Sequence, residues 1–295
     1  MSRKIKEIII KNTFLLFALI SVLILALIII FLFVEGVPIF GVVSVREFLF
    51  GMEWYPTYDP PEFGIWSLIV GSFIVTIFAS ILAIPLGVLS AIYIAEIAPS
   101  LVKEIFKPVV ELLAGLPSVV LGFFGMAVLA PWMQATFDLP TGLNIVNASL
   151  LLALMAVPTI SSISEDALYS VPQEFKEASY ALGATRFETI ARVIVPAALS
   201  GISTAVILGM ARAIGETMVV LMVAGGAAAI PESIFDSVRP MPASIAAEMG
   251  EAPFRSHHYH ALFATGIVLF FLTLGFNLIA DYVSHKFKEV GSATL

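Results

Sequence analysis

The chain contains no cysteine, so neither a disulfide framework nor a thiolate metal site is available to it. Charge is also scarce. Asp, Glu, Lys and Arg make up 13% of the residues, where a soluble domain carries about a quarter. No G-x-x-x-x-G-K-[ST] stretch occurs, which excludes a nucleotide-hydrolysing P-loop of its own. The four histidines sit at 257, 258, 260 and 285, in a loop or at a helix end. None is placed to activate a serine within an apolar segment, which argues against an intramembrane serine protease. There are 15 basic residues against 22 acidic ones, a net charge of −7, and this argues against nucleic acid as a partner.

Apolar side chains fill the chain instead. They account for 59% of its 295 residues, and the mean hydropathy is +1.01. Six segments reach the roughly 20 residues that a helix needs to cross a bilayer: near 11–34, 65–93, 108–130, 147–168, 197–225 and 261–283. The first follows MSRKIKEIIIK and has no small-residue cleavage site, so it reads as a retained helix rather than a signal peptide. Pro85, Pro117 and Pro158 are expected to bend their helices. No repeat of 20–50 residues, the period of solenoids and arrays, is present. The fold class expected is all-α, a polytopic membrane protein with six transmembrane helices.

Lysine and arginine set the orientation. With the N-terminus inside, the cytoplasmic pieces hold Arg3, Lys4, Lys6, Lys11, Lys103, Lys107, Lys176, Arg186, Arg192, Lys286 and Lys288. The outer loops hold only Arg46, Arg239 and Arg255, so both termini are expected in the cytoplasm. Ten acidic residues also fall in those outer loops: Glu35, Glu47, Glu53, Asp59, Glu62, Asp138, Glu232, Asp236, Glu248 and Glu251. This acidity is consistent with solubility and the positive-inside bias alone. It is also consistent with an acidic rim that repels free anions, in which case an anionic substrate would need delivery by a docked carrier. Outer loops 35–64 and 226–260 are rich in Pro, Gly and aromatics, as in GMEWYPTYDPPEFG, and are expected to hold short interfacial helices. The SHHYH run at 256–260 has no partner carboxylates in sequence, and ordinary loop histidines explain it better than a metal site.

The fifth apolar segment contains MARAIGETMVV, residues 210–220. Arg212 there faces a cost of about 2.5–3.5 kcal/mol at mid-membrane. Arg212 and Glu216 stand four apart and on an unbroken helix would share a face and pair. Ala205, Gly209, Ala213 and Thr217 form a small-residue stripe beside them, of the kind that packs helices closely. A permanent structural pair and a substrate-facing pair are both consistent with this pattern. Ser72, Thr76 and Ser80 recur every fourth residue on the second span, and PTISSIS places Thr159, Ser161, Ser162 and Ser164 after a proline. Hydroxyls at such positions serve either as helix contacts or as lining for a polar path.

Residues 171–199, VPQEFKEASYALGATRFETIARVIVPAAL, are too polar to span. Ser170 with Gln173 reads as one capping box and Thr185 with Glu188 as another. Gly183 is placed to stop the first helix and Pro196 to close the second. Two short helices joined at Gly183 would make a knob projecting from the membrane.

This stretch resembles the cytoplasmic signature of bacterial ABC import permeases. That signature runs Glu-Ala-Ala, three residues, Gly, nine residues, Ile-x-Leu-Pro; here Glu177, Ala178, Ser179, Gly183, Val193, Val195 and Pro196 occupy its positions. Ser179, Val193 and Val195 are conservative departures. LLAGLPSVVLGFFG (112–125), EASYALGATRFETI (177–190), ARAIGETMVV (211–220) and the first outer loop are similar to the phosphate permeases, specifically the PstC type, over nearly the whole chain. The PstA-type paralogue shares the Gly-Glu-Thr element and is the nearest alternative, followed by permeases for sulfate or molybdate.

The resemblance implies a type I ABC importer permease fold in the plasma membrane. Residues 1–64 would form a tail, first helix and outer loop, and residues 65–295 a five-helix core with coupling helices at 171–196. Glu177, Ala178, Ser179, Gly183 and Pro196 would contact an ATP-binding subunit of PstB type, with ATP and Mg held there and no cofactor on this chain. A PstA-type second permease and a PstS-type extracytoplasmic phosphate-binding protein would complete the system. The substrate path would include Arg212, Glu216, Thr217, Thr76, Ser72 and Ser162.

The basic asymmetry makes a prediction that the absence of native cysteine makes easy to test. Single cysteines placed at positions 2, 180 and 292 should be shielded from an impermeant thiol reagent added outside intact cells, and those at 56 and 235 should react. Labelling at position 180 from outside would reverse the assigned orientation.

Overall fold

The computed structural model describes the backbone of residues 3–292 and the side chains of residues 6–283. Arg3, Lys4, His285, Lys286 and Lys288 lie outside the described side chains, and position 2 lies outside the described residues altogether.

Helix α1 (Arg3–Gly36) is one continuous rod, charged in its first turns and almost entirely aliphatic and aromatic from Phe14 to Val34. A 3-10 turn (Val37–Gly41) follows, then α2 (Val45–Phe50), capped by Ser44, whose Oγ accepts the Glu47 N–H. A two-residue hairpin, β1 (Trp54–Tyr55) antiparallel to β2 (Glu62–Phe63), leads into α3 (Trp66–Ile92). A π-helical turn (Tyr93–Ile97) then connects to α4 (Ser100–Ala114). Next come α5 (Ser118–Phe124), a π-helical turn (Gly125–Leu129) and α6 (Ala130–Phe137), which together form one crossing. Helix α7 (Ile145–Tyr169) starts at Asn144, whose side chain accepts the Asn147 N–H. The connector beyond it holds α8 (Gln173–Ala181), α9 (Arg186–Thr189), a π-helical turn (Ile190–Ile194) and α10 (Val195–Ala197). The chain re-enters as α11 (Leu199–Ile214), breaks, and continues as α12 (Met218–Val223). An outer loop containing α13 (Met241–Glu248) leads to the last helix, α14 (His257–Ser292).

Among the described residues five helical segments are long and apolar enough to cross a membrane; Leu199–Ile214, which the chain enters from the short Arg186–Ala197 segment at a 68° bend, belongs to a sixth. Six spans were expected, and two differ from expectation in detail. The third does not start at 108. Residues Ser100–Ala114 form a separate helix with no buried residue, and the crossing is Ser118–Phe137. Gly115, Leu116 and Pro117 divide them, because Pro117 has no N–H to donate and steers Leu116 away from helical geometry. The fifth is interrupted at Gly215–Thr217. The 16 residues of α11 reach about 24 Å, short of the roughly 30 Å hydrocarbon core, so the segment after the break completes the crossing.

The bundle packs around α7. Ile160, at its middle and 1% exposed, faces a glycine on each neighbour. A Cβ on Gly87 of α3 would come within 2.8 Å of Ile160, and one on Gly209 of α11 within 2.5 Å. Ala205 and Ala213 continue the α11 stripe and are buried, as the small-residue pattern predicts, but Thr217 lies beyond the break, half-buried, and is not part of it. By contrast, α1 is exposed over most of its apolar length and packs on α14 only near its C-terminal end, through edge-to-face pairs Phe31–Phe263 and Phe33–Phe271.

Gly209→Ala should therefore destabilise the bundle by about 1–3 kcal/mol through overpacking. Ile160→Ala alone should cost about 2–5 kcal/mol, and the double variant should lose less than the sum of the two. Thermal unfolding in detergent measures all three; strict additivity would mean that the Ile160–Gly209 contact is not tight.

Candidate functional site

Two regions carry the chemistry: the knob between α7 and α11, and the break that follows α11. In the knob, the capping expectations divide. Thr185 and Glu188 form the reciprocal box, with the Thr185 N–H donating to Glu188 Oε2 at 2.9 Å and the Glu188 N–H donating to Thr185 Oγ1 at 3.3 Å. Accepting the Thr185 N–H and hydroxyl holds the Glu188 carboxyl below its usual range. Ser170 does not cap α8. Its hydroxyl donates to the Ala167 carbonyl at 2.7 Å, and Pro172 occupies the capping position instead. Gly183 stops α8 with φ +83°, a left-handed conformation that strains any residue bearing a Cβ. Pro196 does not close the second helix. It sits in the first turn of α10, and the chain bends just beyond it.

The signature residues separate into two groups. Glu177, Ala178, Gly183 and Pro196 are exposed, whereas Ser179 is buried with its hydroxyl 2.9 Å from Thr189 Oγ1, bracing α8 against α9. Phe175, Ala178, Leu182 and Gly183 border an open groove of about 520 Å³. Leu182 is 89% exposed and Phe187 76%, an arrangement unfavourable in water and suited to a partner. The knob is tied to the bundle by Lys176, whose ammonium is 2.7 Å from Glu96, and by Arg186, which donates to the Glu96 carbonyl.

At the break, α11 ends at Ile214, so Arg212 and Glu216 do not share a continuous helix face. Among the described residues they form no ion pair. Arg212 is exposed at the C-terminal turn of α11, while Glu216 Oε1 accepts the Val219 N–H at 3.5 Å. The two nevertheless border one narrow crevice with Leu152, Met155 and Ala156 of α7. Thr217 donates to the Gly215 carbonyl at 3.3 Å. A helix C-terminus favours a cation by about 0.3–1 kcal/mol, at most about 2, less than the cost of placing arginine at mid-membrane. The remainder has to come from water or from a second protein surface facing Arg212.

The hydroxyls lie elsewhere. Ser72, Thr76 and Ser80 are buried on α3 and donate to carbonyls one turn back, at 2.9, 2.7 and 2.7 Å. Ser162 is half-buried on α7, and the buried hydroxyls of Ser161 and Ser164 have no protein partner. Among the described residues no group of three or more His, Cys, Asp or Glu is arranged to hold a metal.

Residues 83–289 match the family described as binding-protein-dependent transport system inner membrane component. The chain belongs to this family. A probable ABC transporter permease of Bacillus subtilis is 44% identical to this permease over 261 residues, 88% of this chain and 84% of its own. The phosphate transport system permease protein PstC of Haemophilus influenzae is 32% identical over 301 residues, covering 95% and 93%. Among solved structures, a bacterial ABC transporter that imports alginate matches with TM-score 0.63 at 15% identity, over 97% of this chain and 99% of its own. The inward-facing MetNI methionine transporter matches with TM-score 0.56 at 21% identity, over 76% and 94%. These two likenesses establish the ABC importer permease fold.

Sequence reading missed one constellation of the permease. Glu248 accepts from Trp54 Nε1 at 2.9 and 3.0 Å, from Arg239 at 2.7 Å and from Ser244 at 3.3 Å, and His258 Nε2 is 2.8 Å away. His260 Nδ1 instead donates to the Glu35 carbonyl at 2.7 Å, and His257 is exposed, so the histidine run disperses in space. The signal available was the carboxylates of the same loops, which become partners only when the loops fold together.

Because Arg212 and Glu216 are not paired, a double-mutant cycle between Arg212→Gln and Glu216→Gln should show stability effects additive within about 0.5 kcal/mol. A larger coupling measured in the assembled complex would restore the pair as a structural strut.

Proposed function

We propose that this permease is the PstC-type subunit of an ATP-driven phosphate importer, with its knob and both termini in the cytoplasm. The full-length likeness to phosphate transport permeases carries the reading. The absence of a P-loop and the exposed apolar knob agree with it, since energy then has to come from a separate ATPase of PstB type seated on Glu177, Ala178, Leu182 and Gly183. A PstA-type partner would complete the pore, and a PstS-type protein would deliver the anion to the acidic loop face. Residues 65–295 would act as the transport core and residues 1–64 as an added helix and loop.

In this reading Arg212 offers a forked, fixed positive charge to a tetrahedral oxyanion, which suits a guanidinium better than an ammonium. It stands without an ion-pair partner at the end of α11, where the second bundle would close over it. Glu216, in the same crevice, limits how tightly an anion is held. Thr217 supplies a hydroxyl at the break and Ser162 one further along α7, while Ser72 and Thr76 serve the bundle interior. The bend below α11 links the knob to this helix, so movement of the ATPase would tilt α11 and with it Arg212.

Reconstituted with its partners in liposomes, the wild-type permease should support ATP-dependent uptake of phosphate in preference to sulfate or molybdate. Arg212→Gln should abolish uptake with assembly intact. Preferential uptake of another oxyanion, or normal phosphate uptake by Arg212→Gln, would refute the substrate or the site respectively.

Gly183→Leu should impair co-purification of the ATPase, because φ +83° is strained for leucine, and Glu177→Arg should do so by charge reversal. Wild-type ATPase yield and uptake in both variants would move the docking site off the knob.

A further inference from the structure

The loop face holds a cavity of about 730 Å³ between the hairpin and the second outer loop. That volume lies within the roughly 300–1,000 Å³ of clefts that accept a ligand-sized group. One wall is aromatic. Tyr55 and Tyr58 stack with ring centroids 4.9 Å apart and an interplanar angle of 13°, yet they remain 40% and 65% exposed. The rest of the lining includes a fixed cluster, in which the Glu248 carboxylate is held by Trp54, Arg239 and His258 and in turn fixes all three. Arg239 is also anchored by its Nε donating to the Gly226 carbonyl at 2.7 Å.

The charge within this cavity is not balanced. Arg239 and Glu248 neutralise each other, and Glu251, exposed on the same cavity, has no side-chain partner among the described residues. The surrounding loops make the imbalance larger, with ten carboxylates against three arginines. Of those arginines, Arg239 is engaged with Glu248 and Arg255 lies over the Phe254 ring at 5.4 Å. An open aromatic face and an unpaired carboxylate lining one cavity are the combination that recognises an organic cation, through a cation–π contact and a charge-assisted hydrogen bond together.

We propose that this cavity receives a lysine or arginine side chain on the surface of the binding protein that delivers substrate, with its cationic head over the Tyr58 ring and paired with Glu251. The inference rests on the reading of the chain as a permease served by such a protein. Charge complementarity decides for that occupant: a net acidic loop face steers in a basic surface, and the cavity gives one basic residue of it a defined seat. The walls come from separate stretches joined by Glu248, so the seat exists only when both outer loops are folded.

The test measures docking of the system's phosphate-binding protein to the assembled permease complex in nanodiscs, at low and high salt, alongside phosphate uptake. Glu251→Lys and Tyr58→Leu should each weaken Kd at least about tenfold. Glu251→Gln should flatten its salt dependence, and Tyr58→Phe, which keeps the ring face, should retain near wild-type affinity. A scan of the binding protein's surface lysines and arginines to glutamate should identify one change that rescues Glu251→Lys. If the wild-type complex docks and transports while Glu251→Lys and Tyr58→Leu dock normally, the seat is refuted and the importer reading stands. If agmatine binds the wild-type cavity tightly without competing with the binding protein, the cavity is a small-cation site and the proposal falls. If the wild-type complex neither docks the protein nor takes up phosphate, both readings fall together.

Discussion

Ile160 between Gly87 and Gly209 is the contact on which the arrangement of the bundle depends. Lipid is as apolar as leucine, so burial alone does not draw transmembrane helices together, and close backbone approach has to do so instead. Here a single branched side chain on α7 fills the space that two missing side chains leave on α3 and α11. That lock fixes the height and rotation of α11 relative to α7. Two of the candidate functional elements then hang from α11: the bent connector and knob at one end, the break with Arg212 and Glu216 at the other. In the proposed reading, a helix held by this contact and bearing the knob below and a charge above would act as a lever.

The exposure of Arg212 follows from the same lock. Gly209 and Ala213 face α7, which turns Arg212, one residue before Ala213, out of the packed seam and onto the surface of the chain. Its charge is favoured by the end of the α11 dipole but not cancelled by a neighbour. A cation left in that condition is incomplete as a single chain, and it becomes reasonable only within an assembly that brings water or an anion to it.

How much of this was legible in the sequence depended on the range of the forces involved. The spans were legible because hydrocarbon thickness imposes a length on every crossing. The Ala205–Gly209–Ala213 stripe and the Thr185–Glu188 box were legible because both act within a few residues. The break at Gly215 was not, since a glycine in an apolar run reads equally well as a helix contact. The Ser170 box failed locally, because its hydroxyl had a nearer acceptor in the Ala167 carbonyl. The Glu248 cluster could not be read at all: Trp54 and Glu248 are 194 residues apart, and nothing in either neighbourhood announces the other.

Helix α1 touches the rest of the bundle mainly along α14. During synthesis the first span emerges long before the last, and chains of this size fold in the order in which they are made. Helix α1 therefore waits in the bilayer, without its main seam, until α14 arrives. These two helices meet late, and the Phe31–Phe263 and Phe33–Phe271 contacts form only once α14 has been made. A truncated product lacking α14 would leave α1 adrift in lipid, an orphan helix available to membrane quality control.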